Sequence, residues 1–201
     1  MLGQVTGEQR FCSAALKNVE YIVSTANENG WLANCCLDKP SSPLIHTIAY
    51  ATRGIMEVAL AEQREDLLDA ASLMADGVMD NLGKDGFLVG RLDHDWNPVV
   101  TWSCLTGTAQ MGTIWGKLYE ATGREDYLDA MERGISFLSR KQITGSGEKH
   151  LEGGLAGSFP VSGEYGQYQL LNWAAKFFAD LLILESVLEE KNSEIRSSSI
   201  F

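Results

Sequence analysis

A pattern that recurs three times along the chain is the feature that most restricts its fold. Phe11, Leu67 and Tyr127 occupy equivalent positions, and each is followed three residues later by an alanine. The copies lie about 60 residues apart, which is too long for one helix and suits a pair of helices with its connecting loops. The sequence therefore predicts a repeated α-hairpin.

Each copy is expected to begin with an amphipathic helix and to continue, after a glycine-containing loop, into a less charged helix. In the second copy, Leu67, Ala71, Met74 and Val78 recur at helical spacing. The less charged helices are apolar on most faces, which indicates burial. We predict an all-α fold, a partial α/α toroid of three helical hairpins, with about six main helices in an inner and an outer layer. The predicted outer helices cover residues 7–27, 65–82 and 125–142, and the inner helices cover residues 44–61, 103–122 and 171–190.

The repeats predict a single domain over residues 1–191. Residues 192–201 are polar and rich in serine, and we expect them to form a frayed tail. Three hairpins make only part of a ring, so apolar surface on the inner helices would stay exposed without a partner. Because large exposed apolar patches are typical of interfaces, the sequence predicts self-association, most simply as a homodimer.

Charge and composition exclude several classes of partner. The net charge of −11 disfavours binding to nucleic acid and to anionic membrane surfaces. No apolar run is long enough to span a bilayer, and the first residues do not resemble a signal peptide.

Cysteine usage favours a cytoplasmic protein without a cofactor. Cys12, Cys35, Cys36 and Cys104 form neither a CxxC pair nor a disulfide framework, so free thiols in a reducing compartment are expected. A zinc site from Asp93, Cys104 and His46 would need scattered ligands, which is a weak signal. We therefore predict neither a metal nor another cofactor.

The segment 90–110 holds the densest group of chemically informative residues. Gly90 and the pair Asn97-Pro98 predict a loop, and Ser103 is expected to cap the helix that follows. Loops on a rigid scaffold often carry binding chemistry. The three long loops all precede inner helices, so we expect them to gather at one end of the array. These loops cover residues 28–43, 83–102 and 143–170.

The residues expected at that end combine aromatic rings with amides and charges, as sugar-binding sites do. Aromatic faces stack on pyranose rings, whereas amides and carboxylates hydrogen-bond to hydroxyl groups. Lys176, on an inner helix, is expected to pair with a carboxylate. The predicted substrate-binding residues are Trp31, Asn34, Arg91, Trp96, Trp102, Gln110, Tyr165, Asn172, Trp173 and Lys176.

Two carboxylates in the same segment suggest catalysis. Glycoside hydrolysis needs two carboxyl groups with separated pKa values, and Asp93 and Asp95 are the candidates, with His46 as an assisting acid or base. Alternatives stay open, since Glu152 or Glu164 would serve equally well as the second carboxyl group. In a structural interpretation that the sequence supports equally, Asp93 caps a turn and binds Arg91, Asp95 caps a helix, and His46 is a core histidine.

Six segments, in order along nearly the whole chain, carry a family resemblance. They are Asn29–Cys35, His46–Tyr50 with Arg53–Gly54, Gly86–Leu88 with Gly90–Arg91, Trp102–Gly107 with Ala109–Gln110, Gly157–Pro160 and Asn172–Phe178. These segments resemble the C-terminal half of the VpsJ-like α/α-toroid proteins, a family named after a polysaccharide-biosynthesis protein. Leu171 stands where the family has a proline. The resemblance implies a toroid related to six-hairpin glycosidases, sugar epimerases and terpenoid cyclases.

The combined hypothesis is a carbohydrate-active or carbohydrate-binding protein of polysaccharide metabolism. As an enzyme it would resemble a glycoside hydrolase, a lyase or a sugar epimerase. The alternative is a non-catalytic half-toroid that serves interaction or oligomerisation. A less favoured alternative, an isoprenoid-binding toroid, would need an almost wholly aromatic and apolar pocket, whereas the amides of Asn34, Gln110 and Asn172 favour a sugar.

Overall fold

The computed structural model describes residues 2–36 and 38–198, most of which are helical. Two short strands, β1 (Ser103–Cys104) and β2 (Ser158–Phe159), pair antiparallel, with Ser103 opposite Phe159. The helices in chain order are α1 (Leu2–Thr6), α2 (Gln9–Ser24), α3 (Ile45–Glu62), α4 (Glu65–Met79), α5 (Leu105–Thr122), α6 (Glu125–Ser139) and α7 (Asn172–Ser198).

The six predicted helices all form, with boundaries that differ by a few residues. The predicted outer helices correspond to α2, α4 and α6, and the predicted inner helices to α3, α5 and α7. The sequence pattern did not predict the short helix α1. Helix α7 reaches Ser198, beyond the predicted end at residue 190, and residues 199–201 of the expected tail lie outside the described residues.

The chain divides into two compact units, which we describe separately. Unit 1 contains the chain up to Asn81, with α1 to α4, together with Arg91–Val99. Unit 2 contains Leu82–Gly90 and the chain from Val100 onward, with α5 to α7. A single domain over residues 1–191 stays a prediction.

In unit 1, α3 packs against α4 and α2 through an apolar core. Helix α4 buries Leu67, Ala71, Met74 and Val78, the positions whose spacing predicted an amphipathic helix. Helix α3 ends at Glu62, because the left-handed backbone of the next residue, Gln63 (φ 54°), stops the helix and allows α4 to begin two residues later. The spacing of apolar residues therefore determines which face of α4 meets α3.

In unit 2, α5 is the central helix and packs against α6 and α7. It is buried without interruption from Leu105 to Gly116. Gly112 lets α7 approach closely, because a Cβ atom there would lie 2.6 Å from Leu181. Gly116 acts similarly, since its added Cβ would lie 2.8 Å from Leu184. Small residues inside α5 thus allow three helices to pack at short distance.

The expected cap of α5 was wrong by one residue. The residue that precedes the helix is Cys104, whose sulfur accepts a hydrogen bond from the Gly107 backbone at 3.4 Å. Ser103 lies in β1 in extended conformation, and its hydroxyl contacts Thr108 instead, at 3.4 Å. Pairing with β2, which the sequence did not reveal, holds Ser103 outside the helix.

The other two inner helices are less buried than their composition predicted. Helix α3 exposes Tyr50, and α7 exposes Trp173 and Ile183. None of the described helices combines the length and apolar character needed to cross a bilayer.

Candidate functional site

In unit 1, residues 93–97 form a tight turn built around Asp93. The Asp93 carboxylate accepts hydrogen bonds from the backbone N–H groups of Asp95 (3.0 Å) and Asn97 (2.8 Å). These bonds lower the pKa of Asp93 below its ordinary value, and the bond from the Asn97 backbone has the largest effect. Asp93 is therefore an ionised turn cap, a state that suits a base and opposes a role as general acid.

Trp96 anchors this turn to the rest of unit 1. Its indole N–H donates to the carbonyl oxygen of Asn29 at 3.0 Å, and its ring lies over Gly77 of α4. The side-chain amides of Asn29 and Asn81 donate to the carbonyl oxygens of His94 and Trp96, each at 2.9 Å. Trp96 is thus half-buried and serves packing rather than sugar stacking.

Beside this turn, Trp31 and His94 meet edge to face with ring centroids 6.4 Å apart. Trp31 is buried, and its indole nitrogen has no hydrogen-bond partner among the described residues. His94 lies on the exposed side, where its Nε2 atom is 3.2 Å from the carboxylate of Asp95. An exposed imidazole–carboxylate pair therefore lies above a buried indole.

Arg91 organises the loop that precedes α3. It is buried, and its guanidinium pairs with Asp38 and donates to the carbonyl oxygen of Ser42 at 2.8 Å. Hydrogen bonds from Cys36 and from Arg91 lower the pKa of Asp38 to about 2. The backbone of Arg91 also bridges Leu44, directly before α3. Arg91 therefore acts here as a structural residue.

The remaining predicted residues of unit 1 lie in other surroundings. The ring of His46, on α3, contacts Tyr50 at a centroid distance of 4.8 Å. Asn34 is exposed with φ 58° and lines an open cavity of about 330 Å³ together with Tyr21 and Cys35. Burial raises the pKa of the Cys35 thiol to about 11, which disfavours a thiolate nucleophile.

In unit 2, the strand pair brings the N-terminus of α5 beside the loop before α7. The Leu105 backbone N–H donates to the carbonyl oxygen of Gly157 at 3.0 Å. Trp102 is buried, with its ring on Gly90, so it is unavailable for stacking on a ligand. Gln110 is also buried, inside α5.

The N-terminal end of α7 presents the most exposed of the predicted aromatic groups. Trp173 is 45% exposed, and its indole N–H donates to the hydroxyl of Tyr165 at 2.9 Å. Asn172 is exposed beside it, and its side-chain oxygen accepts a hydrogen bond from the Trp173 backbone at 2.8 Å. Lys176 pairs with Asp180, as expected of a lysine on this helix, although it is exposed rather than buried.

The predicted residues therefore fall into separate groups within each unit. In unit 1, Trp31, Asp95 and Trp96 gather around the 93–97 turn, whereas His46 and Asn34 have other partners. In unit 2, Tyr165 and Trp173 meet directly. The prediction that all three long loops share one cleft stays a prediction.

Three residues that hold these groups together, Asn29, His94 and Asp38, were not among the predicted site residues. Asn29 precedes a glycine at a turn, and His94 lies between two aspartates, so both positions offered a signal. Asp38 offered none, because its partner Arg91 is distant in the chain. Among residues 2–36 and 38–198, no group of three or more His, Cys, Asp or Glu side chains is arranged to hold a metal ion.

Comparison with solved structures defines the fold class. No protein-family model and no curated protein sequence matches the chain. Solved α/α-toroid structures do match, with TM-scores of 0.60 to 0.65. The chain is therefore an all-α partial α/α toroid, which confirms the predicted fold class.

Three of these structures are carbohydrate-active enzymes. Cellobiose 2-epimerase from Bacillus thermoamylovorans matches with a TM-score of 0.65 and 13% identity, over 92% of this chain and 50% of that one. Cellobiose 2-epimerase from Spirochaeta thermophila matches with a TM-score of 0.60 and 12% identity, over 81% of this chain and 41% of that one. The GH76 α-mannanase from Bacteroides thetaiotaomicron matches with a TM-score of 0.60 and 16% identity, over 86% of this chain and 44% of that one. The chain thus spans half or less of the length of these structures, and identities this low show the fold alone.

Proposed function

We propose that the protein binds a carbohydrate at the N-terminal end of α7, on a surface formed by Tyr165, Tyr168, Asn172 and Trp173, which we call the α7 platform. The observation that carries this proposal is the hydrogen bond between the Trp173 indole and the Tyr165 hydroxyl. It fixes the orientation of an indole that remains 45% exposed. An aromatic ring held in place while partly exposed loses little entropy when a ligand stacks on it.

The residues that lead into α7 suit a sugar. Tyr168, four residues before Asn172 in the chain, is 70% exposed, and the exposed amide of Asn172 has both donor and acceptor atoms. A pyranose ring presents an apolar C–H face and a rim of hydroxyl groups. Aromatic side chains match the face, and amides match the rim.

Two further observations favour a carbohydrate over other ligands. Solved structures of similar fold include two cellobiose 2-epimerases and an α-mannanase. The resemblance of six sequence segments to the VpsJ-like family supports a role in polysaccharide metabolism. Its four cysteines are free, which favours a cytoplasmic setting.

Binding is better supported than catalysis. Asp93 is engaged by its own turn, and Glu152 is likewise bound by the Ser146 hydroxyl and by the backbone N–H groups of Gly145 and Gly147. A second candidate function, catalysis at the exposed His94–Asp95 pair, rests on the 3.2 Å contact between these side chains. In that alternative Asp95 would orient the imidazole, and His94 would transfer the proton.

The test is titration calorimetry with cello-oligosaccharides and α-mannan oligosaccharides. We expect the wild type to bind one of these and Trp173→Ala to bind it about tenfold more weakly, or about 1.4 kcal/mol. Tyr21→Ala provides a matched control, because Tyr21 is an exposed aromatic residue of unit 1. Tyr165→Phe should weaken binding by a smaller factor, since the indole keeps its stacking surface and loses its orienting partner.

Two outcomes would contradict the proposal. If no oligosaccharide binds the wild type, the protein lacks the proposed function. If Trp173→Ala binds as tightly as the wild type, the site lies elsewhere. Turnover of the bound sugar that persists in Trp173→Ala and disappears in Asp95→Asn would instead support the second candidate.

A further inference from the structure

Three phenylalanine rings pack edge to face near the C-terminal end of α6, in unit 2. The ring centroids of Phe87 and Phe137 lie 5.8 Å apart, and those of Phe137 and Phe159 lie 5.9 Å apart. We call these three rings the aromatic ladder. Phe137 is buried, whereas Phe159, in β2, is 36% exposed. The ladder therefore begins inside unit 2 and ends at the surface with the ring of Phe159.

Lys141 lies over the outer end of the ladder. Its Nζ atom is 3.7 Å from the centroid of the Phe159 ring and 5.3 Å from that of Phe137. Both distances lie within about 6 Å, the range in which the face of an aromatic ring attracts a cation. The two rings thus hold the ammonium group at a defined position beside an exposed aromatic side chain.

No carboxylate balances the charge of Lys141. In the part of the chain that the structure describes, Lys141 forms no ion pair, whereas Lys176 and Lys191 of the same unit each pair with a carboxylate. An aromatic ring attracts an ammonium group without neutralising it, and the group has three N–H donors. A cation that is held in place without an acidic partner is a suitable contact for an anion.

Arg140, directly before Lys141, adds a second positive charge. Its guanidinium donates to the hydroxyl of Ser136 at 2.6 Å and to the carbonyl oxygen of Asp85 at 2.7 Å, which are both uncharged acceptors. The C-terminal end of a helix attracts cations, and this attraction explains Arg140. It does not explain why the ammonium group of Lys141 lies on the ladder. The end of α6 is therefore positively charged in a chain whose net charge is −11.

We propose that Lys141 and Phe159 form a binding site for an acidic sugar, which we call the ladder site. The carboxylate of a uronic acid would pair with the Lys141 ammonium, and the apolar face of its ring would lie on the exposed part of Phe159. Pro160 and Val161 follow Phe159 and are both exposed, so they extend its apolar surface. The choice of a sugar as ligand rests on the proposed carbohydrate function, and Lys141 adds the requirement for negative charge.

One loop carries both the ladder site and part of the α7 platform. Ser158, next to Phe159, donates through its hydroxyl to the carbonyl oxygen of Tyr165 at 2.7 Å. The backbone N–H of Tyr168 donates to the carbonyl oxygen of Val161 at 2.8 Å. These bonds keep the two arms of the loop together. An acidic oligosaccharide is consequently a better probe of the ladder site than a monosaccharide.

The charge of the whole chain disfavours other anionic ligands. A net charge of −11 repels nucleic acid and anionic membrane surfaces, which are large polyanions. At physiological ionic strength the Debye length is about 8 Å, so distant carboxylates of the protein are screened more than a direct contact at Lys141. A free inorganic anion would leave the Phe159 ring uncovered. A small ligand with both an anionic group and an apolar face suits the ladder site better.

The test is titration calorimetry of the whole protein at physiological ionic strength. The probes are oligosaccharides of glucuronate and of galacturonate, each compared with its own methyl ester, which has the same sugars without the charge. The wild type should bind one of the acids about fivefold more tightly than its ester, as expected of one partly exposed ion pair.

Variants of Lys141 test the origin of this preference. Lys141→Gln should abolish the preference for the acid over the ester. Lys141→Arg should retain it, because a guanidinium group keeps the charge and also stacks on aromatic rings. Lys17→Gln provides the matched control, since it removes the charge of an exposed lysine of unit 1, and it should behave like the wild type.

A variant of Phe159 tests the contribution of the ring. Phe159→Leu keeps an apolar contact with Phe137 but offers no aromatic face to the ammonium group, so it should reduce the preference for the acid. Circular dichroism and urea denaturation of each variant measure its folding separately. A purely structural Lys141 would give a different result: Lys141→Gln would lower the free energy of unfolding and leave the ratio of the two affinities unchanged.

The outcomes distinguish this proposal from the proposed function. Equal affinity of the wild type for acid and ester overturns the ladder site, as does a preference that persists in Lys141→Gln or a failure to bind either acid. The proposed function fails in another way, if neutral oligosaccharides do not bind or if Trp173→Ala binds them as tightly as the wild type. A preference for the acid that depends on Lys141 would still support the ladder site in that case.

Discussion

Replacement of Gly77 by alanine gives a direct test of the contact that holds the 93–97 turn on α4. Gly77 lies inside α4, and a Cβ atom added there would come 2.5 to 2.7 Å from three atoms of the Trp96 indole. Carbon atoms in contact are normally about 3.5–4.0 Å apart, so the indole must move by about 1 Å. Trp96 cannot do this easily, because its indole N–H is bound to Asn29 at 3.0 Å.

The size of the effect follows from opposing contributions. Alanine is more favourable than glycine inside a helix by about 1 kcal/mol. Overpacking against the ring costs about 1–3 kcal/mol, and weakening of the Trp96 hydrogen bond costs about 1 kcal/mol more. We therefore expect Gly77→Ala to lower the free energy of unfolding by about 1–3 kcal/mol.

Gly54 provides the matched control. It also lies inside a helix, α3, but a Cβ atom there would meet nothing within 4 Å. Gly54→Ala should consequently raise the free energy of unfolding by about 0.5–1 kcal/mol. Urea denaturation followed by circular dichroism and tryptophan fluorescence measures both changes.

A double-mutant cycle with Trp96→Ala isolates the clash. In the Trp96→Ala background, Gly77→Ala should become stabilising, as Gly54→Ala is, because the ring that it meets is gone. Stabilisation by Gly77→Ala in the wild-type background would mean that the indole does not lie over Gly77 and that the 93–97 turn is held on α4 by other contacts.

Two predictions concern the loop before α3. Because the pKa of Asp38 is lowered to about 2 in the folded protein, its ionised form stabilises the fold above its ordinary pKa of 3.8, and this contribution is lost as the pH falls towards 2. Asp38→Asn should lower the urea midpoint at pH 7, by removing a carboxylate from the buried Arg91, and flatten the acid part of the stability curve. The pKa of the Cys35 thiol is raised to about 11, so little of it is ionised at pH 8. We therefore expect iodoacetamide to alkylate Cys35 in the folded protein at least about tenfold more slowly than it alkylates glutathione. In urea, where the protein is unfolded, labelling of Cys35 should be fast. The first prediction is contradicted if Asp38→Asn leaves the acid part of the stability curve unchanged. The second is contradicted if peptide mass spectrometry shows fast labelling of Cys35 in the native protein.

The architecture was predictable because it depends on a period. Phe11, Leu67 and Tyr127 mark equivalent turns of the helices α2, α4 and α6, and helical spacing of apolar residues is a local property of the sequence. The β1–β2 pair was not predictable in this way. Two-residue strands have no periodicity, and the pairing of Ser103 with Phe159 joins distant parts of the chain.

The candidate site was less predictable, since residue type alone does not distinguish a packing role from a binding role. Arg91 was expected to contact a ligand, yet its guanidinium is buried and pairs with the exposed carboxylate of Asp38. Asp93 was one of two candidate acids, and the alternative that it caps a turn agrees with its hydrogen bonds. The role of Arg91 depends on a partner distant in the chain, and the role of Asp93 depends on backbone N–H groups. Residue type reveals neither.

The tryptophans show what does separate the two roles. The rings of Trp96 and Trp102 lie on Gly77 and Gly90, where no side chain stands between ring and backbone. When a tryptophan ring packs on a glycine, an aromatic face is buried inside the protein and cannot stack on a ligand, whichever loop carries the residue. Trp173 is bound through its indole N–H, as Trp96 is, but its side chain remains 45% exposed, and an edge contact leaves the faces of a ring available to a ligand. The exposure of a tryptophan ring, rather than the number of tryptophans near the loops, therefore distinguishes a binding role from a packing role, and Trp173 favours the end of α7 for the proposed carbohydrate site.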